Sequence, residues 1–203
     1  DVITSVAEDL PVIDADPDLT AQHVTYAGSC TVGYKFSLHP TWNGNPNPFT
    51  DKKVREAFAL AWDAESYSRD VDGALSSPTW TWIPPGYPGY DPEASPITYD
   101  VEAAKAALAA AGEDFNSPEK LNALGLKLTY SDSARNRQRH EWVAALYKAN
   151  LGVDLILDPV EPTTYTALQK DADTHPLMLR AGWCADYPDP QNWLSVYWRS
   201  DTT

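Results

Sequence analysis

Residues 31–38, Thr-Val-Gly-Tyr-Lys-Phe-Ser-Leu, alternate apolar and polar side chains. Successive side chains of a strand point to opposite faces, so this pattern predicts a half-buried strand. A Pro/Asn/Gly loop from Pro40 to Pro48 follows. Thr50 or Asp51 then stands where a side-chain oxygen caps a helix, and Val54, Ala57, Phe58, Ala61 and Trp62 recur at the spacing of one buried helical face. Residues 76–98 read as a long loop rich in proline, glycine and aromatic residues, which argues for function rather than disorder. Asp100 is placed to cap a short alanine-rich helix that Gly112 closes.

From about residue 124 the period changes. Leu126, Leu128 and Tyr130 predict a strand, and residues 134–151 a helix with Trp142, Ala145, Leu146 and Ala149 on one side. Val153, Leu155 and Leu157 predict a second strand, residues 163–171 a helix, and residues 177–181 a third strand. Strands alternating with helices imply right-handed crossovers and a parallel sheet. The third strand runs into Trp183 and Asp186, and ligands of open α/β sheets bind at such carboxyl-terminal strand ends.

Charge and length narrow the choices. The chain has 203 residues, 43% of them hydrophobic, enough for one substantial domain or two small ones. It contains no apolar run of about 18 residues, the length a membrane-spanning helix requires. The formal charge is −14, from 29 acidic and 15 basic residues, which argues against a nucleic-acid partner. The chain starts at Asp1, its only methionine is Met178, and it ends on Arg199-Ser200-Asp201-Thr202-Thr203, so processing or truncation is expected at both ends. The two cysteines, Cys30 and Cys184, would be free thiols in a cytosolic protein and a pair in a secreted one.

Known chemistries find little purchase. Asp14, Asp16 and Asp18 have the spacing of a calcium loop, but Leu19 stands at the glycine position and Thr25 at the bidentate glutamate position. An exposed acidic loop and turn is the expectation there. No phosphate-binding loop, dinucleotide fingerprint or nucleophile elbow occurs, and His23, His39, His140 and His175 have no metal spacing. No metal or cofactor is expected, and no catalytic group. Asp186 and Asp189 could be a glycosidase pair, which needs two carboxyl groups at a set separation. Their place in a proline-rich loop does not set that separation, and Asp189 reads equally as a turn residue between two prolines.

Several segments in order resemble the family 5 extracellular solute-binding proteins, the oligopeptide- and dipeptide-binding components of ABC importers. They are Pro48-Phe49-Thr50-Asp51 with Val54-Arg55-Glu56-Ala57-Phe58, then Asp63, Ile83-Pro84-Pro85-Gly86, Gly89-Tyr90 and Tyr99-Asp100. The run continues through Ala103, Lys105, Leu108, Ala111 and Gly112, then Leu128-Thr129-Tyr130, Gly152-Val153 and the stretch from Gly182 to Leu194.

The resemblance implies an α/β, periplasmic-binding-protein-like lobe of class II with a mixed, largely parallel sheet flanked by helices. Residues 1–29 would be a hinge-proximal, inter-lobe segment, and residues 30–203 a carboxyl-terminally incomplete second lobe. It implies a non-enzymatic extracytoplasmic receptor, periplasmic or lipid-anchored, whose partners are a peptide, a membrane permease and the first lobe of the same protein. Asp186 would hold the peptide α-ammonium, Arg180 would meet its carboxylate, and Trp183 and Tyr187 would wall side-chain pockets. It also implies a Cys30–Cys184 disulfide. Pro162 and Thr163 stand where many members carry an aromatic residue, which leaves side-chain preference open. An oligosaccharide-binding relative, or a glycan-binding or glycoside-hydrolase module, is the alternative.

Overall fold

A computed structural model describes residues 5–26, 28–73, 75–94, 97–171 and 173–198, the last three of these by backbone alone. The expected truncations at Asp1 and at residues 199–203 lie outside the described residues. The elements are α1 (Leu10–Ala15), α2 (Pro17–Thr20), β1 (Cys30–Phe36), β2 (Thr41–Trp42), β3 (Asn45–Pro46), α3 (Lys52–Leu60), α4 (Ala64–Val71) and α5 (Val101–Ala109). They continue with α6 (Pro118–Ala123), β4 (Lys127–Ser131), α7 (Ala134–Leu151), β5 (Ile156–Val160), α8 (Pro162–Leu168), β6 (Met178–Cys184) and α9 (Pro190–Trp198).

The main sheet has the order β1-β6-β4-β5. β4 lies parallel to both β5 and β6, and β1 closes one edge antiparallel to β6. The parallel pairing read from the alternation of strands and helices is present in β4, β5 and β6, and with β1 the sheet is the mixed, largely parallel one that the resemblance implies. β6 is shared unequally. It pairs with β4 only at Met178 and Leu179, whereas its ladder with β1 runs from Met178 opposite Phe36 to Cys184 opposite Cys30. Beyond Leu179 the pair β1–β6 thus continues as a two-stranded ribbon.

The core lies between sheet and helices. Phe49, Phe58, Leu126, Leu128, Val143 and Met178 are fully buried. Phe36 stacks on Phe49 at 4.2 Å, and Phe49 meets the edge of Phe58 at 5.0 Å. Asp51, one of the two candidate caps, accepts from Lys53 N at 2.7 Å and, across the fold, from Gly112 N at 2.7 Å. The Gly112 N–H, helped by that of Lys53, holds the Asp51 carboxyl below its usual range.

Several elements differ from the sequence expectation. Gly112 does not close α5, whose C-cap is Ala110; the Gly112 N–H goes to Asp51 instead. The acidic stretch expected as loop and turn forms α1 and α2, with a proline in the first turn of each and Asp16 capping α2 through Asp18 N and Leu19 N. The second strand begins at Ile156 rather than Val153, although Val153 and Leu155 are buried. The third strand runs past residue 181, so Trp183 and Cys184 lie on β6 and not after it.

α7 has the expected bounds, set by the Ser133 cap and by Gly152 at φ 72°, but it buries a different face. Arg139, His140, Val143, Tyr147, Asn150 and Leu151 are inside, and Ala145 and Ala149 are exposed. Buried polar groups require partners, and each of the three polar side chains has at least one, although Arg139 Nε and His140 Nε2 are left without. Arg139 pairs with Asp72 at 3.1 Å, His140 Nδ1 meets Asn136 O at 2.6 Å, and Asn150 donates to Ala61 O at 2.9 Å.

Candidate functional site

The ribbon carries the candidate residues. In an antiparallel ladder directly opposed residues share a face. Cys30 with Cys184, Val32 with Gly182, Tyr34 with Arg180 and Phe36 with Met178 therefore point one way. Thr31 with Trp183, Gly33 with Ala181 and Lys35 with Leu179 point the other.

Cys30 and Cys184 form a disulfide at the ribbon tip, with Cα atoms 3.9 Å apart across a sequence separation of 154. Ala185 N donates to Ser29 O at 2.9 Å, extending the ladder by one bond. The next residue, Asp186, is exposed. The backbone leading to its carboxylate is thus fixed by a covalent bond and a hydrogen bond directly before it.

Asn192, near the start of α9, organises the loop. It is buried, at 1% exposure. Its Oδ1 accepts from Trp183 Nε1 at 2.9 Å and from Asp186 N at 3.1 Å, and its Nδ2 donates to Asp186 Oδ2 at 3.3 Å. Asp189 caps the turn, accepting from Gln191 N at 2.8 Å, while its carbonyl accepts from Asn192 N at 3.0 Å. Tyr187 is 42% exposed, and its hydroxyl donates to Gln191 Oε1. Asp189 is thus a turn residue, as one reading of its flanking prolines anticipated.

The aromatic loop at 76–98 braces this arrangement from behind. Trp193 is fully buried, edge-on to Trp82 at 6.4 Å and to Tyr87 at 5.9 Å. A Cβ on Gly89 would come within 3.1 Å of the Pro190 ring, so the loop lies directly on the first residue of α9. The same loop contributes to a cleft of about 360 Å³ beside β1, lined among others by Tyr34, Phe58, Trp62, Trp80, Trp82 and Tyr147. An apolar side chain fits such a space.

Asp186 and Trp183 are brought together through Asn192, with Tyr187 beside them. Arg180 is not part of this group. Three residues from Trp183 along a strand, it projects from the opposite face, and roughly 13 Å of strand separates it from Cys184. Its side chain is half-buried next to the phenol of Tyr67, and its carbonyl accepts from Tyr165 Oη at 2.6 Å. Behind it His140 stacks on Tyr130 at 4.1 Å. Burial, reinforced by Arg180 and Arg139, pushes the His140 imidazole down to about 4 despite its bond to Asn136 O, so at neutral pH it is uncharged. Among the described residues no cluster of three or more His, Cys, Asp or Glu side chains is arranged to hold a metal ion.

Comparison with known proteins finds relatives over most of the chain. The periplasmic murein peptide-binding protein MppA of Escherichia coli is 31% identical over 160 residues, covering 76% of this chain and 28% of that protein. The periplasmic oligopeptide-binding protein OppA of Salmonella typhimurium is 30% identical over 172 residues, covering 82% of this chain and 29% of that protein. The chain thus spans under a third of the length of these two relatives. The solved structure of a periplasmic murein tripeptide-binding protein MppA, unliganded and open, superposes with a TM-score of 0.79 at 27% identity, over 97% of this chain and 36% of that one. The family model for the middle part of the bacterial extracellular solute-binding proteins, family 5, matches residues 1–203, and the chain belongs to that family.

Proposed function

We propose that the protein containing this chain captures peptides outside the cytoplasmic membrane and delivers them to the permease of an ABC importer, without catalysis. The observation that carries this reading is Asp186: an exposed carboxylate at the tip of a disulfide-tied ribbon in a family 5 chain. The relatives named for murein peptides and oligopeptides support it.

In this reading residues 30–203 build most of one lobe, residues 1–29 lie near the hinge, and a second lobe of the same protein closes over the ligand. Asp186 accepts from the peptide α-ammonium, a group every unmodified peptide carries, so it fixes register rather than sequence. The Trp183 indole and Tyr187 ring wall a side-chain pocket beside it. Arg180 stands apart from this pocket on the opposite face of the ribbon, so its half-buried side chain would meet a ligand carboxylate only from that face. Its planar fork suits a carboxylate.

The test is titration calorimetry of the protein containing this chain against short peptides. A hydrogen bond between charged groups is worth about 1.5–3 kcal/mol, so Asp186→Asn is expected to weaken binding roughly 10- to 100-fold. Unchanged affinity, or heat from oligosaccharides and none from peptides, would refute the reading. Turnover of a glycoside would refute the non-catalytic part of it.

A further inference from the structure

The loop after β6 owes its shape to one buried amide. Asn192 Oδ1 takes two N–H donors, from the Trp183 indole and the Asp186 backbone. Its Nδ2 is thereby turned toward Asp186 Oδ2. The opposite amide orientation would set an NH₂ against two N–H groups, so the network fixes which end donates. Among the described residues Asp186 Oδ1 has no protein partner, and the side chain is exposed.

We infer that Asn192 is a positioning residue that aims the Asp186 carboxylate, occupying Oδ2 so that Oδ1 faces the ligand ammonium, and that sets the Trp183 indole at the same time. This rests on the reading of Asp186 as the amine anchor. Only an amide fulfils all the requirements at this site. Leucine supplies neither donor nor acceptor, and a carboxylate accepts from both N–H groups but repels Asp186. Serine offers one hydroxyl, shorter than the amide by one atom. Burial at 1% exposure keeps water from competing for the amide, so its direction is transmitted to Asp186 through these three bonds.

The experiment compares pairs of peptides that differ only in N-terminal acetylation, using the full-length protein. The ratio of their dissociation constants reports the ammonium anchor alone. In the wild type a ratio of roughly 10–100 is expected from one charge-assisted hydrogen bond. Asn192→Leu should bring the ratio to within about threefold of one, with the acetylated peptide weakened only through the released Trp183 indole, and Asn192→Ser should give an intermediate ratio. A merely structural role would weaken both peptides equally and leave the ratio as in the wild type; that result overturns the inference. If the leucine variant does not fold, the serine variant decides on the same ratio. Asp186→Asn, run in parallel, separates the layers. If it abolishes discrimination while the Asn192 variants keep it, only the positioning role fails. If the wild type does not discriminate, the anchor fails and this inference with it.

Discussion

Replacing Cys30 and Cys184 together by serine removes a link between positions 154 residues apart. Both cysteines are exposed and form the last register pair of the β1–β6 ladder, so the folded state loses little buried surface. The effect falls on the unfolded chain, which regains the entropy of a very long loop. For a closed loop of this size the chain-entropy relation gives about 17 cal/mol/K, or about 5 kcal/mol at 25 °C. The unfolding entropy of a chain this long is about 0.43 kcal/mol/K, so the midpoint should fall by about 12 °C. Scanning calorimetry of the disulfide-bonded protein and the double-serine variant reads this directly. Urea denaturation should show a steeper dependence for the variant, because an uncrosslinked chain exposes more surface. A fall of less than about 4 °C with an unchanged urea slope would refute the entropic account and mean that the unfolded chain keeps these two segments together without the bond.

Two further outcomes test the buried polar groups. Asp72→Asn leaves Arg139 without its charged partner, with an Arg139 side chain only 8% exposed. It should cost about 3–5 kcal/mol in urea denaturation, and a paired Arg139→Met change should recover much of that. His140 titrates at about 4 when folded and near 6.5 when unfolded, so between those values the unfolded chain binds a proton that the folded chain does not. Its contribution is fully present above about 6.5 and is lost as pH falls toward 4; His140→Phe should flatten stability against pH in that window, and an unaltered slope would contradict the assignment.

How far the sequence could be read depended on how local each signal was. The bounds of α7 were legible because a serine cap and a left-handed glycine flank the segment itself. Its buried face was not, since counting apolar residues cannot foresee that Arg139, His140 and Asn150 go inside to meet Asp72, Asn136 and the Ala61 carbonyl. Val153 and Leu155 misled the start of β5 because they are buried without being in the ladder. The disulfide came from family resemblance; residue spacing alone left the two cysteines paired or free. Asn192 gave no signal at all. A polar residue in the first turn of a helix is commonplace, and only the fold shows that it faces Trp183 and Asp186.

Because β1 and β6 outrun the parallel sheet, the hydrophobic core and the proposed recognition surface occupy separate tracts of the same strands. Gly33 and Gly182, both on the ribbon, differ in what they tolerate. A side chain at Gly33 would meet nothing within 4 Å, whereas one at Gly182 would press on the Thr31 carbonyl at 3.1 Å. Position 33 lies on the face of Trp183 and diagonal to it across the ladder, within reach of a large side chain. A substitution at position 33 therefore meets no neighbour, while one at position 182 requires the Thr31 backbone and Val32 to give by a few tenths of an ångström.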